Sequence, residues 1–235
     1  MAKKIERLDF TCCYQNWMVQ QEEDLKLLLQ AASKDVHDNK KLQFVVEMVV
    51  QHFEEYHKKR MAYARRNSAS FCSPTWCSSF KNSCLWVTGC RPSLFIRLLY
   101  TLSGSSNCEA HLDGVLQYAR KKNLVELFTN QLSQIDDLHI RTIQSQDSLS
   151  SEMENMQENI TDSMFVEMNT DHHESDIDGV FDSYELFWLR IIEKVDNLRL
   201  NTMKEILNIL TPSQAVEFLI ASKKLQLSMH QLFSA

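Results

Sequence analysis

Wherever apolar residues cluster in this chain they recur at steps of three and four, the spacing of one face of an α-helix. Phe10, Tyr14, Trp17, Met18, Leu25, Leu28 and Leu29 predict a first helix from about Asp9 to Ser33, with Gln20, Gln21, Glu22 and Glu23 facing outward. Leu42, Val45, Val46, Val49, Phe53 and Tyr56 predict a second, from about Val36 to Arg66. Lys58, Lys59, Arg60, Arg65 and Arg66 stand near its end, where cations suit the negative pole of a helix better than they argue for a phosphate site. Asn67 to Pro74 reads as a loop, Thr75 to Val87 as a short helix, and Pro92 as the start of an apolar helix carrying Ser93 to Tyr100. A loop follows at Gly104 to Asn107, then a short helix around Leu112 to Ala119 and an apolar patch at Leu124 to Phe128.

From Thr129 a long amphipathic helix is predicted, with Ile135, Leu138, Leu149, Met153, Met156, Ile160 and Met164 on one stripe. Such a Met-rich stripe serves either a partner, a second copy included, or the chain's own bundle; packing within the bundle is the expectation. No Lys or Arg occurs between Arg141 and Arg190, and the acidic run NTDHHESDID predicts a flexible linker at about 168–179. Tyr184, Phe187, Trp188, Ile191, Val195, Leu198, Ile206 and Leu210 then mark a helix from about Val180 to Leu210. Thr211, Pro212 and Gln214 make a helix start with a capping box, and Ala215, Phe218, Leu219, Leu225, Met229 and Leu232 line the last helix. The prediction is an all-α helical bundle of long amphipathic helices, a single domain over 8–235 with an acidic flexible insert.

Composition agrees. With only 4 Gly and 3 Pro in 235 residues, the chain lacks the turn-forming residues that sheets and barrels consume. A formal charge of −6 argues against direct nucleic-acid binding, which calls for concentrated positive charge. MAKKIERLDF has no apolar run of a signal peptide, and no stretch approaches the ~20 apolar residues of a membrane span. A nuclear or cytoplasmic protein with its 7 cysteines reduced is expected.

Enzyme signatures are missing: there is no P-loop, GxSxG, HExxH or glycine-rich nucleotide turn. Cys72, Cys77, Cys84 and Cys90 lie close in sequence without a CxxC pair, so buried small hydrophobes are expected rather than a zinc site. His172 and His173 are expected to be solvated. One pattern suggests a metal: Glu174, Asp176, Asp178, Gly179, Asp182 and Glu185 fall at the first, third, fifth, sixth, ninth and twelfth positions of an EF-hand calcium loop. The first ligand of such loops is nearly always Asp, and EF-hands pair, so calcium is the minor expectation.

Three blocks carry a resemblance to a known family. Tyr14-Gln15-Asn16-Trp17 with Gln20 and Gln21, the segment from Pro74 to Ser105 with Trp76, Trp86, Gly89, Arg91, Pro92 and Ser93, and the stretch from Val195 to Phe233 together resemble the Delay of Germination family of plant seed-dormancy regulators. The same blocks are similar to the C-terminal domain of TGA-type bZIP factors. Lys81 and Thr88 depart from the TGA pattern, which has an acid and a glycine there. The basic region and zipper that carry TGA factors to DNA do not precede the first helix.

The resemblance implies a non-enzymatic regulator acting through protein partners in dormancy or abscisic acid signalling. Some members bind type 2C phosphatases through the first helix, which maps to Cys12–Trp17, with Cys12 in place of the family's acid. Exposed, Tyr14 and Trp17 would make a hot-spot anchor; buried, they would be core. Haem binding through two last-helix histidines maps to Gln226 and His230, leaving one histidine. From the residues themselves, Trp76, Leu85, Trp86 and Leu94 are expected to lock two helices around the proline break, and Arg91 to cap carbonyls or pair with a buried acid. Partner proteins, a bZIP factor among them, and a ligand sensor using haem or calcium are thus the competing readings.

Overall fold

The computed structural model describes residues 2–34, 38–68, 71, 82–83, 85–104, 127–168 and 174–234. Six α-helices account for nearly all of these: α1 (Ala2–Lys34), α2 (Asn39–Ala64), α3 (Ser93–Leu102), α4 (Thr129–Met168), α5 (Glu174–Ile209) and α6 (Pro212–Ser234). No strand occurs among the described residues, only an isolated bridge between Trp86 and Gly89. The all-α prediction is met.

The starts and stops follow local chemistry. Asp38 caps α2, its carboxylate accepting from the Lys41 backbone N–H at 3.2 Å. The predicted capping box of α6 is formed reciprocally: Gln214 N–H donates to Thr211 Oγ1 at 3.4 Å, and Thr211 N–H to Gln214 Oε1 at 2.8 Å. Buried Gln131, at the start of α4, donates to the Ile209 carbonyl at 2.8 Å and meets Gln214, tying the α5–α6 corner to α4. Ser93 N–H, at the start of α3, donates to Gln146 Oε1 of α4 at 3.0 Å.

Cross-helix bonds give the arrangement. Arg141 pairs with Glu205 and Glu152 with Lys194, so α4 and α5 run antiparallel. Tyr14 meets His230 and Asp24 meets Lys223, so α1 and α6 do the same. Glu54–Lys204 and Arg60–Asp196 set α2 antiparallel to α5. The main core draws Leu28 from α1, Leu42 and Val49 from α2, Ile96 and Leu99 from α3, Ile135 from α4, Ile206 from α5, and Phe218 and Leu219 from α6. Two smaller clusters centre on Phe10, Phe71 and Ile192, and on Trp86, Leu149 and Ile191.

Four expectations need correction. α1 starts at Ala2 rather than Asp9, since nothing in KKIERL breaks a helix. The helices reach further into the acidic stretch than expected: α4 runs to Met168 and α5 begins at Glu174, where acids complement the positive pole of a helix, while residues 169–173 of the predicted linker lie outside the described residues. The helix foreseen up to Val87 does not extend that far, because Val87 and Thr88 have φ of 42° and 64° and form a tight turn. Arg60, placed with the cations at the negative pole of α2, instead turns inward to Asp196. Trp76, Lys81, Cys72, Cys77, Cys84, His172, His173 and the helix at Leu112–Ala119 lie outside the described residues.

Candidate functional site

The described residues enclose a cavity of about 300 Å³ between α1, α2, α3, α5, α6 and the Trp86–Cys90 turn. Two buried charge networks border it. Trp86 and Gly89 close the turn by exchanging backbone bonds of 2.8 and 3.2 Å, leaving Val87 and Thr88 at its tip with positive φ. β-branched residues resist that conformation, so something must hold it. Two arginines do. Arg199 donates to the carbonyls of Trp86 (2.6 Å), Val87 (2.9 Å) and Cys90 (2.8 Å). Arg60 donates to the Thr88 carbonyl at 3.1 Å and also to its hydroxyl. Asp196 in turn holds both guanidiniums, each at 2.6 Å.

This ion triad is nearly dry: the side chains of Asp196, Arg199 and Arg60 are 4%, 8% and 12% exposed. Burial pushes the Asp196 carboxyl up, but Arg60 and Arg199 outweigh it and hold the carboxyl below its ordinary value.

Gly89 owes its place to this triad. A Cβ there would fall 2.9 Å from Cζ and 3.0 Å from Nη2 of Arg199. Because the guanidinium is pinned by Asp196 and three carbonyls, it cannot step aside at low cost. Gly89→Ala is expected to lower stability by about 1–3 kcal/mol, read as a shifted urea midpoint at unchanged slope. An unchanged midpoint would mean that the arginine relocates freely.

The second network lies between α1, α2 and α6. Lys223 donates to Gln21 Oε1 at 2.6 Å and to Asp24 Oδ2 at 2.9 Å, while His52 Nδ1 and Gln20 Nε2 meet Asp24 Oδ1 at 2.8 and 3.0 Å. Asp24 and Gln21 are wholly buried. Burial pulls the Lys223 ammonium below its ordinary value, partly offset by Asp24. The Lys223 Nζ sits 5.2 Å from the Trp17 ring centre, and that ring stacks on Tyr56 with centroids 4.2 Å apart.

These contacts relocate the residues foreseen as a partner anchor. Trp17 is 5% exposed and Gln21 fully enclosed, Gln20 is half-buried, and Tyr14 leans on His230 with its hydroxyl 3.4 Å from Nδ1. They are inward-facing residues, and of the Cys12–Trp17 motif only Cys12, Gln15 and Asn16 are exposed. The core motif is likewise internal. Trp86 is buried, donates to Ser150 Oγ at 3.4 Å and is flanked by the guanidiniums of Arg91 and Arg199. Pro92 and Ser93 are buried at the head of α3. Arg91 is exposed and stacks on Trp86 at 5.2 Å; the carbonyl capping and acid pairing expected of it belong to Arg199.

The cofactor expectations fare differently from the packing. Gln226 and His230 both line the cavity one helical turn apart, but an amide does not ligate haem iron, so these residues do not fit a bis-histidine haem. Glu174, Asp176, Asp178, Asp182 and Glu185 lie in the continuous helix α5. An EF-hand draws its ligands from a loop between two helices, and this backbone is helical throughout. Among the described residues no group of three or more His, Cys, Asp and Glu could hold a metal. No described helix is long and apolar enough to cross a membrane.

The family model for seed dormancy control matches residues 24–101. Protein DOG1-like 3 of Arabidopsis thaliana is 35% identical over 93% of this chain and 82% of its own length, and Protein DOG1-like 2 of the same plant is 32% identical over 93% and 87%. Transcription factor TGA2.3 of Oryza sativa subsp. japonica is 23% identical, covering 91% of this chain but only 60% of the factor. At these identities, over most of both chains, the chain belongs to the Delay of Germination family of seed-dormancy regulators.

Proposed function

We propose that the protein is a non-enzymatic regulator, nuclear and cytoplasmic, that acts in dormancy and abscisic acid signalling by binding type 2C phosphatases through the outer face of α1. The observation that carries this reading is the division of the first-helix motif. Trp17 and Gln21 point inward and fix the helix against α2 and α6, while Cys12, Asn16, Val19 and Glu23 form an exposed strip at steps of three and four. Val19, 56% exposed, supplies an apolar centre within a polar rim, the make-up of a helix that docks in a partner's groove.

The test is capture of type 2C phosphatases by the wild type and by Asn16→Arg with Val19→Arg. Both sites are exposed, so the double variant keeps its melting temperature. Phosphatase affinity is expected to fall by at least about tenfold. Equal capture by the variant, or none by the wild type, overturns the reading.

The similarity to TGA factors favours a second reading, in which the chain reaches DNA through a bZIP partner. That similarity spans 91% of this chain and 60% of the factor, so part of the factor has no counterpart in the match. Capture of a TGA factor, insensitive to the α1 substitutions, would select this reading over the first.

A further inference from the structure

A second pocket, of about 370 Å³, meets the Trp86–Cys90 turn from the α4 side. Ser150, Met153, Glu154 and Gln157 of α4 line it, at spacings of three and four that share one helix face. Trp188 of α5 and Trp86 of the turn supply aromatic walls. Arg91 and Glu154 are exposed, and Met153 and Trp188 are only half-buried, so the pocket is open to solvent. Neither tryptophan, nor Arg91, nor any of the α4 residues borders the central cavity, so the two spaces are separate.

Two opposite charges face this pocket without a partner. The Arg91 guanidinium lies over the Trp86 ring, 5.2 Å from its centre, and makes no hydrogen bond or ion pair among the described residues. A guanidinium stacked in this way keeps its N–H edge free for a carboxylate. The Glu154 carboxylate likewise has no described donor or cation, and the two groups do not pair with each other. Ser150 adds a further donor. Its hydroxyl accepts from Trp86 Nε1 at 3.4 Å and donates to no described acceptor.

This pairing of charges selects the ligand. A simple anion would be drawn to Arg91 but meet Glu154, and a simple cation would be drawn to Glu154 but meet Arg91. A zwitterion satisfies both. The walls between the charges are apolar, and the volume lies at the small end of small-molecule sites.

We propose that this pocket binds a free α-amino acid with a large apolar side chain. Its carboxylate accepts from Arg91, with the Ser150 hydroxyl as a further donor, and its ammonium donates to Glu154. Its side chain packs on Trp86, Met153 and Trp188. A residue within a peptide carries neither charge of the backbone, and a chain end carries only one, so the site distinguishes a free amino acid from a peptide. It is separate from the outer face of α1 and stands or falls without it.

The experiment titrates the full chain with L-phenylalanine, N-acetyl-L-phenylalanine and L-phenylalaninamide. The three share one side chain and carry both charges, the negative alone and the positive alone; the two derivatives also stand for the ends of a peptide. Binding is read by calorimetry and by tryptophan fluorescence, since Trp86 and Trp188 line the pocket. L-Phenylalanine is expected to bind at least about tenfold more tightly than either derivative. Glu154→Gln should lower its affinity about tenfold and leave the N-acetyl derivative unchanged, whereas Arg91→Gln should do the same and leave the amide unchanged. Both side chains are exposed, so both variants should melt with the wild type. Should Arg91→Gln fold poorly for want of its stack on Trp86, Glu154→Gln carries the test by itself. No binding of any probe by the wild type at about 10 mM overturns the site. Equal or tighter binding of either derivative, or L-phenylalanine affinity unaltered by Glu154→Gln, overturns the amino-acid assignment.

Discussion

Replacing Asp196 with alanine is expected to cost about 3–5 kcal/mol of folding stability and to lower the melting temperature by roughly 10 °C or more in a protein of this size. The carboxylate is the only described anion shared by Arg60 and Arg199, each at 2.6 Å, and none of the three is more than 12% exposed. Without it, two like charges face each other in a dry site. The damage spreads, because the same guanidiniums hold the strained turn at Val87 and Thr88. The pH dependence has a definite sign. A carboxyl held below its ordinary value stabilises the fold above about pH 3.9, the usual Asp value, and that contribution is lost as pH falls toward its lower folded value. Stability curves for wild type and Asp196→Asn should therefore lie apart at neutral pH and converge below about pH 4. A constant separation down to pH 2 would show that packing, not charge, explains the loss.

Much of the fold was legible because apolar spacing reports burial directly. The paths of α2, α3, α4 and α6 follow their periodic Leu, Ile, Val and Phe positions, and the Thr211–Gln214 capping box was readable from four letters. The candidate site was less legible, and for one physical reason. Its inward positions are polar. On α1 the buried register is Trp17, Gln21, Asp24, Leu28, four residues at steps of four, three and four. A reading that sends polar residues outward places Gln21 on the surface and Leu29, 38% exposed, in the core. Arg60 was lost in a basic cluster in the same way. Its partner Asp196 lies 136 residues away, and no local pattern joins two such positions. Register alone signals the burial: Asp24 lies seven residues after Trp17 and four before Leu28, on the apolar face. Gly89 was visible as a motif residue, but its reason, the Arg199 guanidinium against its Cα, exists only in three dimensions.

The inward register of α1 also decides how the family's first-helix motif can be tested. Trp17→Ala is expected to cost about 3–5 kcal/mol, the range for emptying a buried aromatic site. The indole stacks on Tyr56 at 4.2 Å with planes 6° apart, meets Phe53 edge-on at 5.7 Å, and lies under the Lys223 ammonium. Its removal enlarges a cavity that already exists beside it, so the walls cannot collapse to fill the gap and the loss should lie toward the upper end. It also strips the ring from beside a buried cation, leaving Lys223 to rely on Asp24 and Gln21. Partner capture by Trp17→Ala would then fall because α1 detaches, not because an anchor has left the interface. The two causes separate by measurement. Chemical denaturation of the variant should show an earlier midpoint, and Trp17→Phe, which keeps an aromatic ring against Tyr56, should recover most of both stability and capture. Loss of capture at wild-type stability would instead place Trp17 at the interface and show that α1 rotates outward to meet its partner.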